Sequence, residues 1–371
     1  MQGSFEKYNR QLLLPGWGAE GQALLSKSSV LVVGAGGLGC PILSILSGIG
    51  LRRIGIMDGD SVATHNLHRQ TLFGEKHLGK LKAAVAYEQL VNRNSHTSFV
   101  AINQYLSPEN AGIVNEYDIV IDATDRFTSR YLLGDAAGFY KKVLVHGSIY
   151  KFEGQISTFM AGGLSYRDLY PAPPSDYLAP DCESAGVSPA FCALIGSIMA
   201  AETIDVVLKR PKWVNKLLVI DADSFEQHVF DCTSLVGSDP KPPIILNSEE
   251  YVEFCQSSSH EIQSDMVREL SVQELHEMKL RKEAFTLIDV REQNEYAYSQ
   301  MGGVLIPMSE FGERWKEVPR EGKVVIHCKS GVRSANVIQY LQQQHGYSNL
   351  YNLKGGILAW ANEIDPSIPK Y

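Results

Sequence analysis

Cysteine is scarce in this chain of 371 residues, with six scattered singly at 40, 182, 192, 232, 255 and 328. That spacing builds no disulfide framework and fits a reducing compartment. Long apolar runs are missing as well. No stretch approaches the roughly 20 uncharged apolar residues that a bilayer-crossing helix needs, so no membrane span is expected. The N-terminal M-Q-G-S-F-E-K-Y-N-R-Q-L-L-L places acidic and polar residues where a signal peptide needs an apolar core, so a cytoplasmic protein is expected. Positive charge is in deficit: 34 Lys and Arg stand against 42 Asp and Glu, a net charge of −8. Such a balance disfavours nucleic acid as the main partner, although a local basic patch is still allowed. Low-complexity tracts and internal repeats are absent.

What is present is a two-part α/β pattern. S-V-L-V-V-G (29–34) is a continuous β-branched run, the signature of a strand buried on both faces, and a stretch with helical apolar spacing follows it. Further strands are read at 52–60, 117–125 and 141–149, the first two ending in acid. Strands alternating with helices imply a doubly wound parallel sheet. Residues 185–209 read as a long apolar core helix, and 216–230 as an antiparallel hairpin. Composition shifts near 240, where S-D-P-K-P-P opens a polar, weakly periodic stretch. The expected organisation is therefore a first domain over 1–240, a linker over 241–265 and a small α/β domain over 266–371.

Gly34-Ala35-Gly36-Gly37-Leu38-Gly39 fits G-x-G-x-x-G between a strand and a helix. Glycines permit the tight turn and let backbone N–H groups reach a phosphate at a helix N-terminus. Asp58 ends the next strand, where a carboxylate can hold a ribose hydroxyl. By itself the loop says only "nucleotide", and a nicotinamide dinucleotide and ATP both remain open. Beyond Asp58 and Asp60 come His65-Asn66-Leu67-His68-Arg69-Gln70, then Lys82, then Asp125, with Arg10 near the N-terminus. Hydride transfer develops no phosphate charge and needs no such set of cations. Attack on an α-phosphate does, together with a carboxylate for Mg²⁺.

The ordered motifs Y-N-R-Q, G-A-G-G-L-G, D-G-D-S-V-A-T-H-N-L-H-R-Q, H-L-G-K-L-K, D-A-T-D, E-G-Q-I-S and D-C-E-S-A-G-V resemble the ubiquitin-activating-enzyme-like adenylyltransferases, the MoeB/ThiF family, over about residues 5–235. The resemblance implies a Rossmann-like domain that uses ATP and Mg²⁺ to adenylate the C-terminal glycine of a ubiquitin-like sulfur carrier. It implies Gly36 and Gly37 behind the phosphates, Asp58 on the ribose with Asp60 beside it, and Asn66, Arg69 and Lys82 along the triphosphate. Asp125 would hold Mg²⁺ as the main catalytic carboxylate. Arg10 would reach into a partner subunit's site, so a homodimer is expected. Cys182, in P-D-C-E-S-A-G-V, would be a reactive crossover-loop thiol. Two departures stand out. Arg126 replaces the family's usual Asn after the motif aspartate, either touching ATP or replacing a hydrogen bond. The C-x-x-C pairs that bind structural zinc in many relatives are missing: Ser165-Tyr166-Arg167-Asp168 stands at the first pair's place and Cys232 is alone at the second, so no zinc is expected.

In H-C-K-S-G-V-R-S-A-N (327–336), Lys329, Ser330, Gly331 and Val332 make four residues between Cys328 and Arg333. Tyrosine-phosphatase loops have one residue more. The shorter loop makes a tighter nest of N–H groups, too small for phosphate but suited to the terminal sulfur of a persulfide. N–H donors and Arg333 would steady the anionic sulfur on Cys328. With L-I-D-V-R-E-Q-N-E-Y and K-G-G-I-L-A-W, residues 266–371 strongly resemble a rhodanese domain, with thiosulfate or a persulfide as sulfur donor. Asp289 and Arg291 are expected to be structural supports.

The combined expectation is an enzyme that adenylates a sulfur-carrier protein and converts it to a thiocarboxylate in a molybdopterin, thiamine or related pathway. A nicotinamide-dependent oxidoreductase fused to a sulfurtransferase is one alternative, which ATP–pyrophosphate exchange would separate. A non-catalytic docking module for a ubiquitin-like protein is another, marked by nucleotide binding without turnover.

Overall fold

A computed structural model describes residues 6–171, 186–236, 247, 249–251 and 267–369. They fall into two compact units, the first holding the described residues up to Tyr251 and the second those from Val267.

The first unit is built on eight strands: β1 (Ser29–Val33), β2 (Arg53–Met57), β3 (Ser98–Ile102), β4 (Ile119–Asp122), β5 (Val143–Tyr150), β6 (Glu153–Phe159), β7 (Lys216–Asp221) and β8 (Gln227–Asp231). Their order is β3-β2-β1-β4-β5-β6-β7-β8. The pairs from β3 to β5 are parallel, and those from β5 to β8 are antiparallel. All five residues of β1 are buried, as its unbroken β-branched run requires at the centre of a covered parallel sheet. The hairpin read over 216–230 is β7–β8. Two strands carried no legible pattern, β3 and β6.

Among the helices are α1 (Asn9–Leu12), α2 (Gly18–Leu25), α3 (Gly39–Leu46), α4 (Lys82–Leu90), α5 (Phe127–Phe139), α6 (Tyr166–Leu169) and α7 (Pro189–Val207). By length and composition α7 is apolar enough to cross a membrane. Its residues Phe191, Ile195 and Met199 instead join the core with β1, β2 and α3. It also buries Glu202, which accepts from the Thr158 hydroxyl (2.8 Å) and from the backbone N–H groups of Lys212 and Trp213 (3.0 and 3.1 Å). A buried carboxylate satisfied this way marks a core helix.

Within the stretch read as a linker, Tyr251 is buried in the first unit and donates to Asp135 Oδ2 at 2.7 Å. Asp135 also takes both nitrogens of the Arg167 fork, at 2.7 and 2.8 Å. Arg167 lies on α6, whose Ser165 cap occupies the place of the absent C-x-x-C pair.

The second unit is a five-stranded parallel sheet in the order β11-β10-β12-β13-β9, made of β9 (Glu269–Leu270), β10 (Phe285–Asp289), β11 (Val304–Leu305), β12 (Lys323–His327) and β13 (Leu350–Leu353). Its helices are α8 (Val272–Leu280), α9 (Gln293–Tyr298), α10 (Phe311–Arg314), α11 (Val332–His345) and α12 (Gly356–Glu363). Asp289 and Arg291 form an ion pair with no exposed surface (2.6 Å), and Arg291 also donates to the Ser299 carbonyl at 2.8 Å.

In the first unit, β1 and β4 come so close that glycine is compulsory between them. Gly34 has φ +97°, and a Cβ there would lie 2.4 Å from the Ala123 carbonyl oxygen. Gly34→Ala is therefore expected to cost about 1–3 kcal/mol in backbone strain, before any cost from the clash. Urea unfolding of the two proteins measures this, and wild-type stability in the variant would show that the contact yields freely.

Candidate active site

Strand order reverses at β1, which has β2 on one side and β4 on the other, and open α/β sheets bind ligands beyond such a point. A cavity of about 340 Å³ opens there. Its floor is the Gly34–Leu38 loop, with Asp58 and Asp60 after β2 and the Ala123–Arg126 segment after β4. Five basic side chains line it (Arg69, Lys82, Arg126, Arg130 and Lys151) against three acids, Asp58, Asp60 and Asp125. That excess of positive charge suits a polyphosphate.

The Asp58 carboxylate is fixed by the backbone N–H groups of Ala35 (2.7 Å) and Asp60 (2.8 Å), which ties the β2 end to the glycine loop. Burial pushes its pKa up, against the opposing pull of Lys82 and those two N–H groups. Asp60 accepts from Lys82 Nζ at 3.0 Å and from the Tyr105 hydroxyl. Burial works to raise its pKa too, but these two donors outweigh it and hold the carboxyl below its usual range. Asn66 is buried, and its Oδ1 accepts from Ala63 N at 3.2 Å to close the short turn Thr64–Asn66. Arg69 is braced by the His65 carbonyl at 3.0 Å. Arg126 lies 4.9 Å over the Tyr105 ring, a cation–π seat at the cavity wall for the residue that departs from the family pattern. Asp125 is an exposed carboxylate on the cavity wall, and it fits a Mg²⁺ ion held by one carboxylate plus substrate phosphates.

Behind this wall is a buried polar chain. Asp122 accepts from Thr124 N (3.0 Å), Thr124 Oγ1 (2.7 Å) and His146 Nδ1 (2.8 Å), while Arg130 holds the Thr124 carbonyl at 3.0 Å. Thr124 is thus clamped from both sides next to Asp125.

Gly36, Gly37, Asp58, Asp60, Asn66, Arg69, Lys82, Asp125 and Arg126 all line this one cavity. Arg10 is exposed on α1 and does not line it, and Cys182 lies outside the described residues. Gln70, named in its motif but given no role, also lines it, as do Tyr105, Arg130 and Lys151, which sequence reasoning missed. Of these, Arg130 carried a signal: it lies one helical turn after Arg126. Cys192 on α7 is buried but also lines the cavity, with its Sγ 3.1 Å from where a Gly37 Cβ would sit.

In the second unit Cys328 follows β12 and is fully buried. Gly331, at φ +94°, donates its N–H to Cys328 Sγ at 3.2 Å. Ser334 Oγ lies 3.5 Å from the same sulfur and 2.7 Å from Asn352 Oδ1. The Cys328 and Lys329 carbonyls accept from Ile357 N (2.9 Å) and Leu358 N (3.1 Å) at the start of α12. Gly356 permits that approach, since a Cβ there would sit 2.4 Å from the Cys328 oxygen. Turning the carbonyls toward α12 leaves the Gly331 amide on the sulfur side. Arg333, expected to steady the sulfur, makes a two-pronged ion pair with Glu295, both bonds 2.7 Å. His327 is buried 3.7 Å from Asp289, and burial pushes its pKa down to about 4, so the imidazole is neutral.

Residues 8–236 match the ThiF family and residues 271–363 the rhodanese-like domain. The chain is 36% identical over 376 residues to the probable adenylyltransferase/sulfurtransferase MoeZ of Mycobacterium tuberculosis, covering 98% of this chain and 95% of that one. It is 34% identical over 401 residues to the adenylyltransferase and sulfurtransferase MOCS3 of Xenopus laevis, covering 98% and 88%. Among solved structures, E. coli MccB with ATP superimposes with a TM-score of 0.53 at 20% identity, over 62% of this chain and 73% of that one, a likeness of fold. The chain belongs to the ThiF family and carries a rhodanese-like domain. It is an adenylyltransferase and sulfurtransferase, and ATP is the adenylyl donor.

The Asp122–His146 pair gives a test of the buried chain. The hydrogen bond and charge of His146 outweigh burial and hold the Asp122 carboxyl below its usual range. Asp122→Asn is expected to cost about 1–3 kcal/mol at neutral pH. With the folded pKa depressed, the charge stabilises the fold above the ordinary carboxylate pKa of about 4, and this is lost as pH falls through the depressed value. Denaturant curves of the two proteins should therefore converge in acid. A gap that stays constant from neutral pH to acid would assign the stabilisation to shape.

Proposed function

We propose that this enzyme adenylates the C-terminal glycine carboxylate of a ubiquitin-like sulfur-carrier protein and then supplies sulfur from a persulfide on Cys328. The observation that carries the reading is the meeting of five basic side chains with Asp125 at the switch-point cavity, in a chain that also turns the Gly331 N–H and the Ser334 hydroxyl onto Cys328 Sγ. A hydride-transfer site needs neither feature.

In the first step a carboxylate oxygen of the carrier attacks the α-phosphorus of ATP, and the bond to pyrophosphate breaks. Gly36, Gly37, Asn66, Arg69 and Lys82 hold the phosphates, and Asp58 and Asp60 the ribose side. Asp125 is the Mg²⁺ ligand, and the ion supplies charge neutralisation when bound. Cys328 takes its outer sulfur from thiosulfate or a persulfide. That sulfur attacks the acyl carbon, AMP leaves, and an acyl disulfide joins carrier to enzyme. A second thiol, assigned to Cys182, attacks Cys328 Sγ. The carrier leaves as thiocarboxylate, and an external thiol reductant resolves the enzyme disulfide. Arg333, paired with Glu295, holds the start of α11 and with it the loop that carries the sulfur. The stretch 241–265 tethers the two domains, 1–240 and 266–371, and the protein acts as a cytoplasmic homodimer without structural zinc. The Arg167–Asp135–Tyr251 cluster supports the last point, since it braces α6 where many relatives use the metal.

Asp125→Ala should lower carrier-dependent ATP–pyrophosphate exchange by about 10²-fold or more. Cys328→Ser should keep that exchange but give no thiocarboxylate when the carrier is weighed intact. Loss of both reactions in Cys328→Ser would refute the division of labour.

Arg10, placed outside its own cavity, is assigned to the partner's. Mixed dimers of Arg10→Ala and Asp125→Ala subunits, each inactive as a homodimer, should regain activity, because one site then keeps both residues. No recovery after subunit exchange seen by native mass spectrometry would mean that Arg10 acts in cis or only structurally.

A further inference from the structure

Adenylation brings together two anions, the acceptor carboxylate and the α-phosphate, so a cation is needed on the acceptor's side of the cavity as well as around the nucleotide. The five basic residues divide by the element that carries them. Arg69 and Lys82 lie between β2 and the start of α4, beside the glycine loop, and Lys82 faces Asp60. Arg126 and Arg130 belong to the start of α5, one over Tyr105 and the other on the Thr124 carbonyl. Lys151 comes from elsewhere, the tight turn between β5 and β6, where Tyr150 pairs with Glu153 and leaves only Lys151 and Phe152 at the tip.

Placement on the cavity wall marks Lys151 as more than turn filler. Its φ of +53° suits the two-residue turn, and Lys141, Lys209 and Lys282 share that conformation, so the backbone alone does not single it out. It also forms a bridge with Val187, so the turn and the Gly186–Val187 strip together make one wall of the cavity. The ammonium group sits 5.6 Å from the centre of the Tyr150 ring, another cavity-lining residue.

We infer that Lys151 is the acceptor-binding residue: its ammonium holds one oxygen of the carrier's terminal carboxylate while the other attacks the α-phosphorus. The inference rests on the acceptor being a protein C-terminal carboxylate, as proposed above. No proton moves. The held oxygen becomes the carbonyl oxygen of the acyl adenylate, and the negative charge departs with pyrophosphate. The bridge to Val187 fixes the turn that carries this cation, apart from the elements that carry those assigned to the nucleotide.

The test uses the full-length protein and the small ubiquitin-like sulfur carrier of molybdopterin synthase, as free acid and with its C-terminus amidated. Both are titrated by fluorescence anisotropy, in parallel with ATP. Wild type should bind the free acid about 10-fold or more tighter than the amide, the range for a charged hydrogen bond. In Lys151→Met that preference should fall to near parity, with ATP affinity within 2-fold of wild type. Lys151→Arg should restore the preference, which separates lost charge from a damaged turn. Carrier-dependent pyrophosphate exchange by wild type is the control. If wild type shows no exchange, the functional reading fails and takes this inference with it. If wild type exchanges but Lys151→Met keeps the free-acid preference, or loses ATP affinity as severely as carrier affinity, the inference alone is overturned.

Discussion

The adenylation site depends on one close backbone contact, Gly34 against the carbonyl of Ala123. It sits at the ends of β1 and β4, on either side of the line where the sheet changes direction. Because those strands meet without a side chain between them, the glycine loop and the Ala123–Arg126 segment share one cavity rather than forming two grooves. The remaining contacts extend outward from that junction. Asp58 ties the end of β2 to the loop through Ala35 N, and Asp122 and Arg130 clamp Thr124. The charges then fall on fixed backbone.

The second unit repeats this logic with other residues. Gly356 lets the start of α12 take the carbonyls of Cys328 and Lys329, and Gly331 aims an N–H at the sulfur. In both sites glycine sets how near two backbone segments come, and preorganised dipoles then supply the electrostatics. Arg333 fits this picture. Its two-pronged pair with Glu295 pins the start of α11 to α9, while Gly331 N and Ser334 Oγ face the sulfur.

Much of this was legible in the sequence where burial is complete. β1 is an unbroken apolar run because both its faces are covered, and the acids Asp58 and Asp125 were readable because they follow such strands. β3 and β6 were not. β3 begins at an exposed Ser98 and is only partly buried, while β6 carries Gly154, Gln155, Ser157 and Thr158, so neither shows a period. Tyr105 and Lys151 lie in a loop and a turn, whose positions follow from tertiary contacts. Tyr251 was hidden for another reason: a single buried aromatic in a polar stretch gives no pattern, yet it anchors that stretch to Asp135. Arg333 was identified as a charge near the sulfur, but its Glu295 partner lies 38 positions earlier, and no local pattern joins them.

Cys328 has no exposed surface, and this separates the residue that stores sulfur from the atom that reacts. An empty thiol so enclosed offers less surface to peroxide and alkylating agents, which select accessible thiolates, than the outer sulfur it carries when loaded. A persulfide extends the side chain by one S–S bond of about 2.05 Å, which carries the outer sulfur toward the loop mouth. The loaded form is therefore the more exposed of the two. Damage would fall first on an atom that each turnover replaces, and the encoded cysteine would outlast many oxidative encounters.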